Sequence, residues 1–166
     1  NTTLYRYDAF ERMTQTTLPD RAVVVRAYAS HSTEDLPVSI SVNGTVLGTQ
    51  SFDGLGRMSS SVTGGRKQLY AYAPGQTQPN KVTTAGGNVI DYEYDPLLGE
   101  EPASRTLNGE LAIYKYDLKN ARLDNCTEAG ITLSRKYFST GELLSETQGE
   151  HAMVYNYSLR GLILGY

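Results

Sequence analysis

Two aromatic residues bracketing a third residue and followed by Asp recur along this chain at a nearly fixed interval. That rhythm marks a repeat protein and constrains the fold more than any other feature. The clearest copies are Tyr5-Arg6-Tyr7-Asp8, Tyr92-Glu93-Tyr94-Asp95 and Tyr114-Lys115-Tyr116-Asp117, and Gln50-Ser51-Phe52-Asp53 keeps the second aromatic and the acid. Degenerate copies fill the gaps at Ala27-Tyr28-Ala29-Ser30, Tyr70-Ala71-Tyr72-Ala73, Lys136-Tyr137-Phe138-Ser139 and Tyr155-Asn156-Tyr157-Ser158. Their fourth positions are about 19 to 23 residues apart, the range in which a fixed period means stacked supersecondary units, and about eight units fit the chain.

Side chains two apart on a strand share a face, so Tyr5 with Tyr7, Tyr92 with Tyr94 and Tyr114 with Tyr116 each form a same-face doublet. Stacked on successive hairpins, these rings are expected to make aromatic cross-strand contacts, each contributing from a few tenths to about 1 kcal/mol. The Asp ending each strong copy suits a turn, because its carboxylate accepts a hydrogen bond from a backbone N–H about two residues on. Asp53-Gly54-Leu55-Gly56-Arg57-Met58 supplies glycine for that turn, whereas Asp8-Ala9-Phe10-Glu11-Arg12-Met13 has Glu11 where Gly56 stands. Asp8 with Arg12 and Asp53 with Arg57 are candidate turn-spanning ion pairs. Exposed pairs contribute little, so changing Arg12 or Arg57 to Ala is expected to cost less than about 2 kcal/mol.

The return turns carry strong hairpin signatures. Ser39-Ile40-Ser41-Val42 alternates into Asn43-Gly44 and out through Thr45-Val46-Leu47, which sets Ile40 opposite Leu47 across a two-residue type I′ turn. Arg105-Thr106-Leu107 enters Asn108-Gly109 and leaves through Glu110 to Tyr114, and Gly64-Gly65, Gly86-Gly87, Gly130 and Gly149 punctuate the other units. The chain therefore reads as all-β, about eight antiparallel hairpins. Sixteen strands about 4.8 Å apart would extend roughly 75 Å, too wide to stay flat, so the expectation is one continuous, strongly curled sheet.

Thirteen Tyr and sixteen Gly, with no Trp, support the all-β reading, because helix-forming runs are missing. The net charge of -3 creates no basic field, which argues against nucleic acid and against an anionic membrane surface, and no apolar run is long enough to span a bilayer. One cysteine, Cys126, rules out an internal disulfide. His31 and His151 make no metal-ligand spacing, and nucleophile-elbow, phosphate-loop and zinc-helix motifs are absent. Asp91 and Glu93 could share a strand face as paired carboxylates, but solvated charges alternating with Tyr92 and Tyr94 explain them without an active site. No catalytic, cofactor or metal residue is expected.

The repeat resembles the Rhs or YD-repeat family, written as Tyr-x-Tyr-Asp, two or three residues, Gly-Arg-Leu, a short strand and Gly. The resemblance covers nearly the whole chain, with Tyr5, Tyr7, Asp8, Arg12, Phe52, Asp53, Gly56, Arg57, Tyr92, Tyr94, Asp95, Tyr114, Tyr116 and Asp117 as its repeat-defining structural positions. Within the family the chain looks most like the B and C components of bacterial insecticidal toxin complexes and the polymorphic Rhs toxins; teneurins carry a similar shell. In such relatives the repeats spiral into a hollow β-shell around a toxin polypeptide. Asp95-Pro96-Leu97-Leu98-Gly99 shares only Asp-Pro with the family's aspartyl autoprotease signature and is read as a turn. The resemblance implies that residues 1–166 form a single repeat domain, a fragment of a longer secreted or cell-surface virulence protein. Its partners would be the rest of the parent shell and an enclosed polypeptide, or another copy joined through open sheet edges. The alternative is a carbohydrate-binding surface module using tyrosine rings as sugar platforms.

Overall fold

The computed structural model describes residues 2–166, which form seventeen short strands and no helix. The chain divides into two compact units, residues 1–89 and 90–166. The first contains β1 (Leu4–Tyr7), β2 (Met13–Thr17), β3 (Val23–Tyr28), β4 (Pro37–Val42), β5 (Thr45–Phe52), β6 (Met58–Thr63), β7 (Arg66–Ala71) and β8 (Lys81–Thr83). Each pairs antiparallel with its sequence neighbour. The second unit takes in β9 (Val89–Tyr94) from its second residue, Ile90, and continues with β10 (Pro102–Leu107), β11 (Glu110–Asp117), β12 (Arg122–Glu128), β13 (Ile131–Tyr137), β14 (Leu143–Gln148) and β15 (His151–Val154), again an antiparallel meander. β16 (Asn156–Tyr157) and β17 (Ile163–Gly165) form a small separate hairpin.

The type I′ turns form as their sequences dictate. Asn43 and Gly44 have φ of 50° and 82°, and Asn108 and Gly109 have 51° and 87°. One register differs from expectation: Ile40 lies opposite Gly48, not Leu47. A bulge between Ile40 and Ser41 places an extra residue in β5, which the alternation pattern alone does not reveal.

A second kind of bulge repeats with the motif. The register slips at Tyr7, Tyr28, Phe52, Tyr94, Tyr116, Tyr137 and Tyr157, where the partner strand carries one extra residue; each of these residues opposes the first residue of that strand except Tyr116, which opposes the second, Leu123. Because a bulge bends its own strand and raises the local right-handed twist, the strand facing the second aromatic of nearly every repeat carries a built-in bend. The bulges also correct the repeat frame. Tyr28 and Tyr137 occupy the structural place of Tyr7, one residue earlier than the degenerate copies suggest, and Phe138 N–H donates to Glu142 O at 2.9 Å just as Asp8 N–H donates to Arg12 O at 3.0 Å.

The Asp turn needs a left-handed residue at its fourth position. Gly56 adopts φ 76° there and Glu11 adopts φ 63°. A Cβ on Gly56 would meet nothing closer than 3.6 Å, so the obstacle to a side chain is the backbone alone. Glu11→Gly is expected to stabilise the chain by about 0.5–1 kcal/mol, and Gly56→Ala to cost about 1 kcal/mol, both read from urea midpoints. A loss on Glu11→Gly would show that the glutamate side chain does more than tolerate the turn.

Little of the molecule is buried. Among the described residues the buried apolar core is Ala29 and Ala112, with Thr16 the buried polar residue. The accessible surface is 11439 Å². A compact protein of this mass would expose about 8,000 Å², and two separate compact bodies of half the mass about 10,000 Å² together. Strand faces that an ordinary domain would cover are therefore open.

Candidate functional site

The repeated motif assembles a side-chain cluster at the Asp53 and Asp8 turns. Asp53 Oδ1 accepts from the backbone N–H groups of Leu55 and Arg57, both at 2.9 Å, while Oδ2 accepts from the Arg57 guanidinium at 2.7 Å. Arg57 then reaches forward: Nη1 donates to Gln76 O at 2.6 Å, and its guanidinium carbon lies 4.5 Å from the centre of the Tyr72 ring. The first repeat is built alike. Asp8 Oδ1 holds the N–H groups of Phe10 and Arg12, Oδ2 holds Arg12 Nε at 2.7 Å, and Arg12 Nη1 donates to Ser32 O and Glu34 O. Here the guanidinium is sandwiched, 5.2 Å from the Phe10 ring and 4.6 Å from Tyr28. Each Arg thus joins its own turn to the next repeat's aromatic and loop.

The tyrosine is pinned from its other end as well. Tyr28 Oη donates to Met13 O, Tyr72 to Met58 O, Tyr116 to Pro102 O, Tyr137 to Leu123 O and Tyr157 to Leu143 O, at 2.7–3.0 Å. Each acceptor lies 14 or 15 positions earlier, at the first residue of a strand (β2, β6, β10 and β14) or, for Leu123, at the second residue of β12. The rings therefore do not form the stacked cross-strand ladder expected from the doublets. Aromatic strands of successive repeats are separated by an intervening strand, about 9.6 Å away, beyond the 4.5–7 Å of ring contacts. Among the described residues the ring pairs are Tyr92 with Tyr94, at 6.2 Å on one strand, and Phe138 edge-on to Tyr157. The signal for the staple is in the sequence as Arg-Met or Arg-Leu followed 14 or 15 residues later by Tyr, at Met13, Met58 and Leu123.

Burial and nearby carboxylates raise the phenol pKa of Tyr28 and Tyr72, and burial together with Glu101 pushes Tyr116 up to about 12, which keeps these hydroxyls protonated as donors. Tyr72→Phe, which deletes one such bond and leaves Met58 O half-buried without it, is expected to cost about 1 kcal/mol. Tyr5→Phe, on the exposed strand β1, is expected to change the urea midpoint little. Equal effects would deny the staple its role.

Burial opposes ionisation of Asp8 and Asp53, but hydrogen bonds from the Arg12 and Arg57 side chains and turn N–H groups outweigh it, so both carboxyls sit below the usual range. A depressed folded value means that the stabilisation is complete above about pH 3.9, the ordinary carboxylate value, and fades as pH falls through the lower folded value. Urea midpoints should hold steady from pH 7 to about 4.5 and then drop, with a shallower drop in Asp53→Asn. An unchanged acid profile in that variant would remove Asp53 as a contributor.

The remaining motif residues diverge from this plan. Tyr5 and Tyr7 are exposed on β1. Phe52 lacks the hydroxyl needed for a staple. Asp95 Oδ1 caps Leu97 N–H at 2.8 Å, and Asp117 holds Lys119 N–H and the Asn120 amide, with no Arg partner at either carboxylate among the described residues. Arg122 instead lies over Tyr137 at 5.5 Å. Tyr92 and Tyr114 are half-buried beside Arg105, which pairs with Glu128 across β11. Glu93 accepts from Ser104 Oγ at 3.0 Å. Among the described residues no group of His, Cys, Asp and Glu is placed to hold a metal ion.

Solved structures share this architecture. The chain is similar to a chain of the crystal structure of TcdB2-TccC3-Cdc42, with TM-score 0.72 over 95% of its length at 15% identity. The fold is that of Tc toxin-complex chains. A second likeness, to the Photorhabdus luminescens Tc holotoxin pore, has TM-score 0.67 over 97% of this chain at 14% identity. The Rhs/YD-repeat resemblance and the Tc toxin likeness thus meet in one all-β fold. This chain spans 10% and 12% of the Tc toxin chains it matches. No family model and no curated protein matches the sequence.

Proposed function

We propose that the chain is a stretch of wall in an Rhs-type β-shell, a non-enzymatic segment that encloses or presents another polypeptide as part of a longer secreted or cell-surface bacterial toxin protein. The observation that carries this reading is the pairing of a motif-bearing meander with uncovered strand faces. A self-sufficient domain would bury more. The likeness to about a tenth of each Tc toxin chain supports a segment rather than a whole machine. Exposed Leu4, Tyr5 and Tyr7 on terminal strand β1, and exposed Leu162, Ile163 and Leu164 around β17, offer edges to further shell strands or to another copy. The repeat-defining residues act here as architecture: Asp and Arg close the turn, and the aromatic bends and staples the next strand.

The carbohydrate-platform reading has less support. It places sugar rings on Tyr92 and Tyr114, and both rings are half-buried, Tyr92 against Tyr94. The test of the wall reading is size-exclusion chromatography with small-angle scattering on the full-length parent. A hollow particle is the expected result, and a solid globule would remove the enclosure claim.

A further inference from the structure

One groove in the first unit is built for more than wall. It has a volume of about 760 Å³ and runs over a row of opposed residues, Arg26, Ile40, Gly48 and Thr63, on four successive strands. At about 4.8 Å per strand the row is some 14 Å long, the span of about four extended residues. Tyr7 and Phe10 stand at one end, and the Gln50 amide joins the floor.

Arg26 is its unusual member. Arg12, at the groove's edge, is neutralised by Asp8, but Arg26 is half-buried with its guanidinium directed to a thioether, Met13 Sδ at 3.5 Å, and with no carboxylate partner among the described residues. A guanidinium has five donors in a planar fork that matches a carboxylate, so this one retains unused donors facing the groove. Glu11 and Asp35 line the rim, both exposed, where water and salt screen them more than the cation inside. Residues 1–89 hold eight Lys and Arg against six Asp and Glu, so the unit around the groove is net positive.

We propose that this groove receives an extended stretch of another polypeptide, with one acidic side chain set on Arg26 and neutral, hydrogen-bonding neighbours along Gln50 and Thr63. The proposal deepens the wall reading and rests on it for the source of the peptide. A polypeptide is favoured over a small anion because the groove has the span of about four extended residues and is lined along it by apolar and neutral polar side chains, among them Ile40, Gln50 and Thr63, besides the one cation. The flanking rim carboxylates disfavour a run of acids and select a single one.

The full chain would be titrated, by NMR, with the capped pentapeptide Ser-Ala-Glu-Ala-Ser and with its Gln and Lys counterparts. The Glu peptide should bind on the order of tenfold more tightly than the Gln peptide, as a charge-assisted fork requires, with shifts centred on Arg26, Ile40 and Gln50. Arg26→Gln should erase the preference, Arg26→Lys should keep part of it, and Lys67→Gln, outside the groove, should leave it unchanged. Equal binding of the three peptides, an unaltered preference in a folded Arg26→Gln protein, or inorganic phosphate binding as strongly as the Glu peptide would overturn the assignment. A hollow parent particle without peptide preference removes the groove alone, whereas a solid particle that keeps the preference removes the wall alone.

Discussion

Replacing Arg57 with Ala is expected to lower the stability of the chain by about 2–4 kcal/mol, measured as a shift in the urea midpoint. The side chain is 19% exposed, and it makes three different contacts. Its fork satisfies Asp53 Oδ2, its Nη1 satisfies Gln76 O, and its flat face covers the Tyr72 ring. Deleting it leaves a part-buried carboxylate and a carbonyl without their donor, and charge-assisted bonds of this kind contribute about 1.5–3 kcal/mol each. The cation–π contact adds about 0.5–2 kcal/mol. Lysine should not rescue it, since an ammonium can neither fork nor stack. Arg66→Ala, on an exposed site, serves as the control and should stay within about 0.5 kcal/mol. A loss below about 1 kcal/mol for Arg57→Ala would return the pair to the small value that its sequence spacing suggests.

The second large effect is expected at Ala112, which is 0% exposed. It lies on β11 directly between Arg105 on β10 and Glu128 on β12, and the Arg105–Glu128 ion pair closes over it. A side chain larger than this methyl group would have to displace the covering bridge. Ala112→Leu should cost about 3 kcal/mol or more, because overpacking alone costs about 1–3 kcal/mol and the displaced guanidinium then loses its carboxylate. Arg105 has little reserve, since its Nε is already buried without a partner. Ala112→Gly should cost only about 1 kcal/mol. In a Glu128→Gln background the penalty of Leu should shrink, the coupling expected of groups in contact. An undiminished penalty there would mean that packing acts alone.

The strand content and the hairpin turns were legible from residues because both are local. Alternation shows in a handful of positions, and Asn43-Gly44 and Asn108-Gly109 have the chemistry for two consecutive positive φ values. The Asp turn was legible for the same reason, down to the exception at Glu11. The staple was not read. Its two ends are 14 or 15 residues apart, and recognising it requires knowing that Tyr28 sits across from Met13, which is a register and not a propensity. The frame of the degenerate copies failed similarly: Tyr137 and Phe138 are both aromatic, and only the bulge at Leu144, between Leu143 and Ser145 on β14, decides which one takes the motif position. The expected ring ladder failed because the second strand of each hairpin lies between successive doublets and holds them about 9.6 Å apart, beyond ring contact.

Sequence alone determined the period, the all-β character, the turn chemistry and the absence of recognisable catalytic motifs, since each depends on residues within a few positions of one another. Tertiary structure decided where the tyrosine hydroxyls end, why Arg57 matters beyond its turn, that Ala112 lies under an ion pair, and that Arg26 lines a groove with no carboxylate paired to it among the described residues. Those features depend on which strands become neighbours and where a bulge shifts the ladder by one residue. A one-residue shift sends every following side chain to the other face.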